Sequence, residues 1–550
     1  TVAGTLVDAG TFTNAGTITG AGRFIVDPAP FTNSGYTGVR VALDTGSELS
    51  NTSTGTIKVA GTAVSGTSAG AVYVSNTGII EATGTGSTAI VLGGGGTVTN
   101  GATNATGALV SGYSYGIRAI NKKATIANYG TITGTNGAAV YLSAGGSIAN
   151  TGSAARLYGP GGLFVNGNGT VSNSSGAHIT GSQYGIEMVG AAGTIVNAGT
   201  ITGTAYSGIF LSIGGNVSNT DTAALISGGN YGIRVISRFP FGALTLNNAG
   251  TITGGIGVYV FTTAGQHSTI INSGTIAGGT LSDAVRFGGF GGDGLVVVDP
   301  GAVFVGRVDG SGASSTLELA STASAGTITG IGTSFANFGT IKVDPGAQWT
   351  FTGTDTIASG VTLTDLGTLT NAGTLTGAGK FVVDPTTFTN PGYTGIQVDL
   401  AAGSGLSNTS TGTIKVAGTA VYGYGAPATV VNAGTIEGSG TGGIAVDLSA
   451  GGAVTNSGTG ALISGDAVGV ALFAAGTVIN TGTITTTGTD GINVGGPILT
   501  NDGVALDGGG SVGNAGTAAL IEGAKYGVFV NGASGTVSNI GTIEVSSATG

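Results

Sequence analysis

A seven-residue phrase recurs along this chain: Asn, a small residue, Gly, Thr, Ile, any residue, Gly. It first reads Asn14-Ala15-Gly16-Thr17-Ile18-Thr19-Gly20. It returns at Asn128, Asn197, Asn248, Asn272, Asn371 and Asn432, with looser versions at Asn76, Asn150, Asn173, Asn456, Asn480 and Asn539. Asn408, Asn432, Asn456 and Asn480 follow one another at steps of 24 residues. A period of this size marks a stack of small units, each unable to bury its apolar face alone.

Within one period the apolar residues fall into three short alternating runs. In residues 131–149 these are Thr131-Ile132-Thr133, Ala139-Val140-Tyr141-Leu142 and Ser147-Ile148-Ala149, and Asn150 opens the next phrase. Such alternation signals strands. The Gly and Asn between runs tolerate the left-handed backbone that corners need. Helix is disfavoured by the 113 glycines and by the many β-branched residues. Three strands per turn, repeated in register, predict an all-β parallel β-helix. Inward Ile and Val would stack turn on turn, and the repeated Asn would form an amide ladder at one corner. At about 4.8 Å per turn, a chain of 550 residues would give about 23 turns in a rod about 110 Å long.

Composition removes other classes. The chain is 40% hydrophobic and only 7% charged, with mean hydropathy +0.39, which argues against disorder. No Gly-X-Y triplet runs through it, so collagen is excluded. With no Cys and two His, His178 and His267, disulfide frameworks, zinc centres and thiol nucleophiles are unsupported, and no cofactor is expected. Net charge is −10. The densest basic group is Arg118, Lys122 and Lys123, no phosphate-tracking footprint, so nucleic acid is not an expected partner. No apolar run approaches the roughly 20 residues of a membrane helix, so no membrane insertion is expected of this segment. The start, Thr1-Val2-Ala3-Gly4, has no signal-peptide pattern.

A longer repeat lies over the short one. Residues 11–64 match 368–421 without a gap, at an offset of 357, and Leu49–Val59 recurs unchanged as Leu406–Val416. The expected organisation is a first module over 1–282, a seam with irregular turns over 283–366, and a partial second copy over 367–550. Val-Asp-Pro marks the seam at Val298-Asp299-Pro300 and Val343-Asp344-Pro345.

The run Phe338-Gly339-Thr340-Ile341-Lys342-Val343-Asp344-Pro345-Gly346-Ala347-Gln348-Trp349, with the preceding 310–320 segment, resembles passenger domains of bacterial autotransporters and related giant repeat adhesins. The Asn-x-Gly-Thr-Ile units are similar to those of Gly/Thr-rich β-helical surface proteins. The resemblance implies a right-handed single-stranded coil, which strand-crossover preference also favours. It further implies secretion and an extracellular location at the bacterial cell surface, outside the outer membrane. The last residues, Ser546–Gly550, are small and polar and hold no membrane barrel. Neither end carries a polar cap, which leads us to expect a slice of a longer polypeptide or end-to-end joining.

Several constellations invite chemistry. Carboxylates such as Asp27, Asp299, Asp344, Asp384 and Asp502 sit at corners, and no three acidic residues match across consecutive turns. Catalysis is therefore not expected. Gly288-Gly289-Phe290-Gly291-Gly292-Asp293-Gly294-Leu295-Val296 fits one copy of a calcium-binding nonapeptide, with Asp293 as the weak ligand candidate, although such sites need stacked copies. Outward Thr pairs around each Ile would suit an ice-binding array, or simply an exposed strand.

The second run of each turn carries the most informative column. Its outward residues are Arg118, Tyr141, Phe164, Glu187, Phe210, Arg234 and Tyr259, at steps of 23, 23, 23, 23, 24 and 25. Tyr73 and Phe529 read as equivalents in other turns. This column could hold a surface glycan or pack against a neighbouring rod. The leading expectation is a non-catalytic stalk or adhesin. A self-associating filament, sheath or surface-layer subunit is the alternative, and a polysaccharide-binding or polysaccharide-cleaving β-helix comes third.

Overall fold

In the computed structural model the three runs become three strands per turn. The structure describes residues 1–546 apart from 238–241, 264, 280–282, 290–292, 489–491, 494–497 and 500. Among these there is no helix, and hence none long and apolar enough to cross a membrane. One turn consists of Thr131–Gly134, Val140–Leu142 and Gly146–Asn150. We call these the threonine strand, the column strand and the asparagine strand.

Each strand pairs in parallel with its counterparts one turn before and after. Ile132 stands between Val110 and Leu157. Val140 stands between Ile117 and Leu163, and Ile148 between Ile126 and Val171. All nine are buried. Each such side chain removed from water contributes about 1.5–3 kcal/mol before chain entropy is subtracted. The fold is a β-solenoid.

The chain divides into two compact units. Unit 1 comprises 1–296 and 302–311, and unit 2 comprises 297–301 and 312–550. In unit 1 the threonine strands form a 13-stranded sheet, from Thr17–Ile18 to Val303–Val305. In unit 2 the asparagine and threonine strands form sheets of 10 and 9. The boundary falls inside the stretch where the 24-residue rhythm lapses. Regular stacking has resumed by Phe335–Val343, which pairs with Thr362–Asp365. Much of 283–366 is thus ordinary solenoid with altered turn lengths.

The asparagines form the expected ladder. In unit 1, Nδ2 of each donates to Oδ1 of the next, from Asn14 through Asn33, Asn51, Asn76 and Asn100 onward to Asn272, at 2.7–2.9 Å. Unit 2 repeats this from Asn371 to Asn539 at 2.7–3.0 Å. The same amides also satisfy backbone carbonyls: Asn128 donates to Gly130 and Arg156. Asn33, Asn51, Asn100, Asn219, Asn390 and Asn514 belong to the ladder although the Gly-Thr-Ile ending does not follow them directly. Two ladder steps near each start are short, 19 and 18 residues, and the step from Asn480 to Asn514 is 34.

The 357-residue offset survives in three dimensions. Phe24 meets Phe31 edge-on at 4.6 Å, and Phe381 meets Phe388 edge-on at 4.9 Å. Ser47 donates to the Val26 carbonyl as Ser404 does to Val383. Corners depend on glycine. Gly146 has φ +136°, and a Cβ there would lie 2.1 Å from the Ala124 carbonyl oxygen.

Candidate binding face

The column strand owes its shape to a short motif, Tyr-Gly-Ile-x, at Tyr115, Tyr184 and Tyr231. Ile points inward. Gly lets the next layer approach closely: a Cβ on Gly185 would lie 2.6 Å from the Gly208 carbonyl oxygen and 2.8 Å from Ile201 Cγ2. The last residue of the motif points outward, and Tyr flanks it.

The outward residues stand in register. Arg118 pairs with Tyr141, Tyr141 with Phe164, Phe164 with Glu187, Glu187 with Phe210, Phe210 with Arg234 and Arg234 with Tyr259. Tyr73 does not join them. It lies on an asparagine strand, three residues before Asn76, and pairs with Glu48 and Thr97. Ser65 takes its expected place. The sequence held the cue, because Val-Tyr-Val-Ser-Asn ends on the ladder asparagine. Phe529 lies on the equivalent column of unit 2, beside Ala505. Tyr422 is another aromatic member there.

The rings of unit 1 touch along the column. Tyr141 stacks on Phe164 with centroids 4.8 Å apart and planes 7° apart. Tyr115 leans on Tyr141 at 5.2 Å, Tyr184 on Phe210 at 5.7 Å and Tyr231 on Tyr259 at 5.5 Å. The flanking tyrosines were not anticipated as part of the face; the recurring Tyr-Gly-Ile triplet was the available signal. The guanidinium of Arg118 sits over Tyr115 and Tyr141, 5.7 Å from each centroid. That of Arg234 sits 5.0 Å from Tyr231 and 5.8 Å from Phe210. Cation–π contacts hold both heads against the rings. The result is a ribbon of aromatic side chains with two arginines laid into it.

Charge on the ribbon is unbalanced. Neither Arg118 nor Arg234 has an ion-pair partner among the described residues, and Arg234 Nε is buried without a hydrogen bond. Glu187 lies between two Phe side chains, and burial raises its carboxyl above the ordinary range. Burial also raises the Tyr184 hydroxyl, reinforced by Glu187 and opposed by Arg234.

The other candidates fare differently. Asp293 faces His267, with Oδ2 3.4 Å from Nδ1. Residues 290–292 of the nonapeptide lie outside the described residues. Among the described residues no group of three His, Cys, Asp or Glu could hold a metal. The threonine columns are broken: Arg156 and Tyr158 follow Thr131 and Thr133, and Leu225 follows Thr200. Three aspartates were not singled out beforehand, Asp355 and Asp365 fully buried and Asp447 half-buried. Burial lifts Asp355, Asp365 and Asp447 each to a pKa of about 6. Asp355 and Asp365 occupy inward strand positions, and Asp447 lies on the unit 2 column. Asp502, expected at a solvated corner, is fully buried.

Compared with family models, curated proteins and solved structures, the chain matches none.

Proposed function

We propose that the chain is an extracellular structural protein, a β-solenoid stalk or adhesin at a bacterial cell surface, similar in kind to autotransporter passengers and giant repeat adhesins, with no catalysis. The aromatic ribbon of unit 1 is its contact face. One observation carries this reading. The outward face of the asparagine strands is served mainly by small and hydroxylated residues, such as the Thr97, Thr125, Ser147, Thr170 and Thr194 column. Rings are therefore not needed to stack this solenoid, yet they gather on one strand per turn. Aromatic side chains clustered along one face of a repeating frame suit recognition.

The test is attachment of cells or beads that display the chain. Tyr141→Ser with Phe164→Ser and Phe210→Ser should abolish attachment and leave the far-ultraviolet circular dichroism unchanged. Undiminished attachment would overturn the reading. Ordered polymers in the electron microscope, lost in the same variant, would favour the filament reading in its place.

A further inference from the structure

We propose that the ribbon of unit 1 binds a linear acidic polysaccharide, with carboxylate or sulfate groups on Arg118 and Arg234 and sugar rings against the aromatic side chains between them. This rests on reading the ribbon as the contact face.

Some cations elsewhere are matched, Lys58 with Glu81 at 2.9 Å, Arg307 with Asp283 and Asp309 at 3.0 and 2.7 Å, Lys342 with Asp344 at 2.6 Å and Lys415 with Glu437 at 2.8 Å, while others, such as Arg23, Arg156 and Lys380, stand without an ion pair among the described residues. A chain of net charge −10 has ample carboxylates for the purpose. What sets the two ribbon guanidiniums apart is that each lies over two rings with no carboxylate partner, and Arg234 Nε is buried without a hydrogen bond. A planar fork held in place is suited to a carboxylate or sulfate, because little side-chain entropy is lost on contact. Lys122 and Lys123, both exposed, add positive charge beside Arg118.

Spacing sets the kind of ligand. Arg118 and Arg234 are separated by five register steps, about 24 Å at about 4.8 Å per turn. Only an extended chain reaches both. Between them lie Tyr141, Phe164 and Phe210, which offer apolar surface to the C–H faces of sugars. Glu187 is the one opposing charge, and its burial favours the neutral form, so acidification removes the repulsion. A second copy of this chain fits less well: its net charge of −10 repels an identical molecule, and pairing ribbon to ribbon adds arginine to arginine.

The experiment measures binding of intact chain to polygalacturonate, to heparin and to neutral dextran of matched length, by calorimetry at low and moderate salt. One or both acidic polymers should bind, more tightly at lower pH and lower salt, and dextran should not. Arg118→Gln with Arg234→Gln should weaken binding roughly tenfold or more, while Arg118→Lys with Arg234→Lys should retain part of it. Circular dichroism melting checks that each variant is folded. Equal binding of dextran, or unchanged binding by the Gln variant, overturns the inference. If that variant still attaches to surfaces while the Tyr and Phe variant does not, the ligand class is wrong and the contact-face reading stands. Reversible dimerisation in sedimentation, abolished by either variant, would assign the ribbon to a second copy and overturn the inference.

Discussion

Replacing Asn197 tests whether the ladder is a structural device or a by-product of the repeat. The side chain is fully buried. Its Nδ2 donates to Gly199 O at 3.0 Å, Asn219 Oδ1 at 2.8 Å and Leu225 O at 3.2 Å. Its Oδ1 accepts from Asn173 Nδ2 at 2.8 Å and Gly199 N at 3.2 Å. Asn197→Leu keeps the branched heavy-atom skeleton, though with bulkier methyl groups, and removes all five. Asn173 Nδ2 retains two carbonyl partners, Ala177 and Thr200, so the loss falls on Asn219 and the two backbones. At about 1 kcal/mol net per hydrogen bond, the variant should lose about 4 kcal/mol locally. Asn197→Asp is more severe at neutral pH, because a carboxylate would face three acceptors. Protonation restores one donor, so this variant should regain stability as pH falls. Neighbour-only stacking keeps the damage local. Hydrogen exchange by mass spectrometry should therefore show faster exchange over 193–203 and the adjoining turns, with distant turns unchanged. Wild-type exchange rates in Asn197→Leu would refute the ladder's role.

Three further outcomes follow from the same geometry. Ile201→Asp puts a carboxylate between Ile179 and Ile226, at a cost of several kcal/mol, and should create a limited-proteolysis site near residue 200; unaltered resistance would count against its inward placement. Gly146→Ala forces a Cβ against the Ala124 carbonyl at φ +136° and should lower stability by at least about 1–3 kcal/mol, whereas Gly107→Ala, with open space around it, should be neutral in the same thermal melt. Asp365 is buried and has a pKa of about 6, above its ordinary 3.8. The folded state then holds the proton more tightly, so stability is fully present below about pH 4 and declines as pH rises through about 6. The difference is about 3 kcal/mol at neutral pH. Urea titrations at pH 4, 5, 6 and 7 should show this decline in wild type and a flatter profile in Asp365→Asn; parallel profiles would refute the assignment.

Legibility in the sequence varied from place to place. The column from Arg118 to Tyr259 could be read directly, because turns of 23–25 residues keep one residue per turn at the same height. Tyr73 was misplaced, since two outward strands of one turn share the same alternation and only the trailing Asn76 separates them. The flanking tyrosines Tyr115, Tyr184 and Tyr231 escaped notice because their contacts with the column cross turns. The short steps through Asn33 and Asn390 were missed because corner residues can be dropped without disturbing the stack.

The sequence by itself determined the winding. Alternation, β-branched residues and a periodic Asn leave no economical burial other than parallel strands stacked turn on turn. Tertiary structure alone decided which side chains meet. Ring against ring, guanidinium over ring and the raised carboxyls of Asp355, Asp365 and Asp447 depend on register between residues two dozen positions apart. Local pattern fixes which way a side chain points, but only the closed coil fixes what it points at.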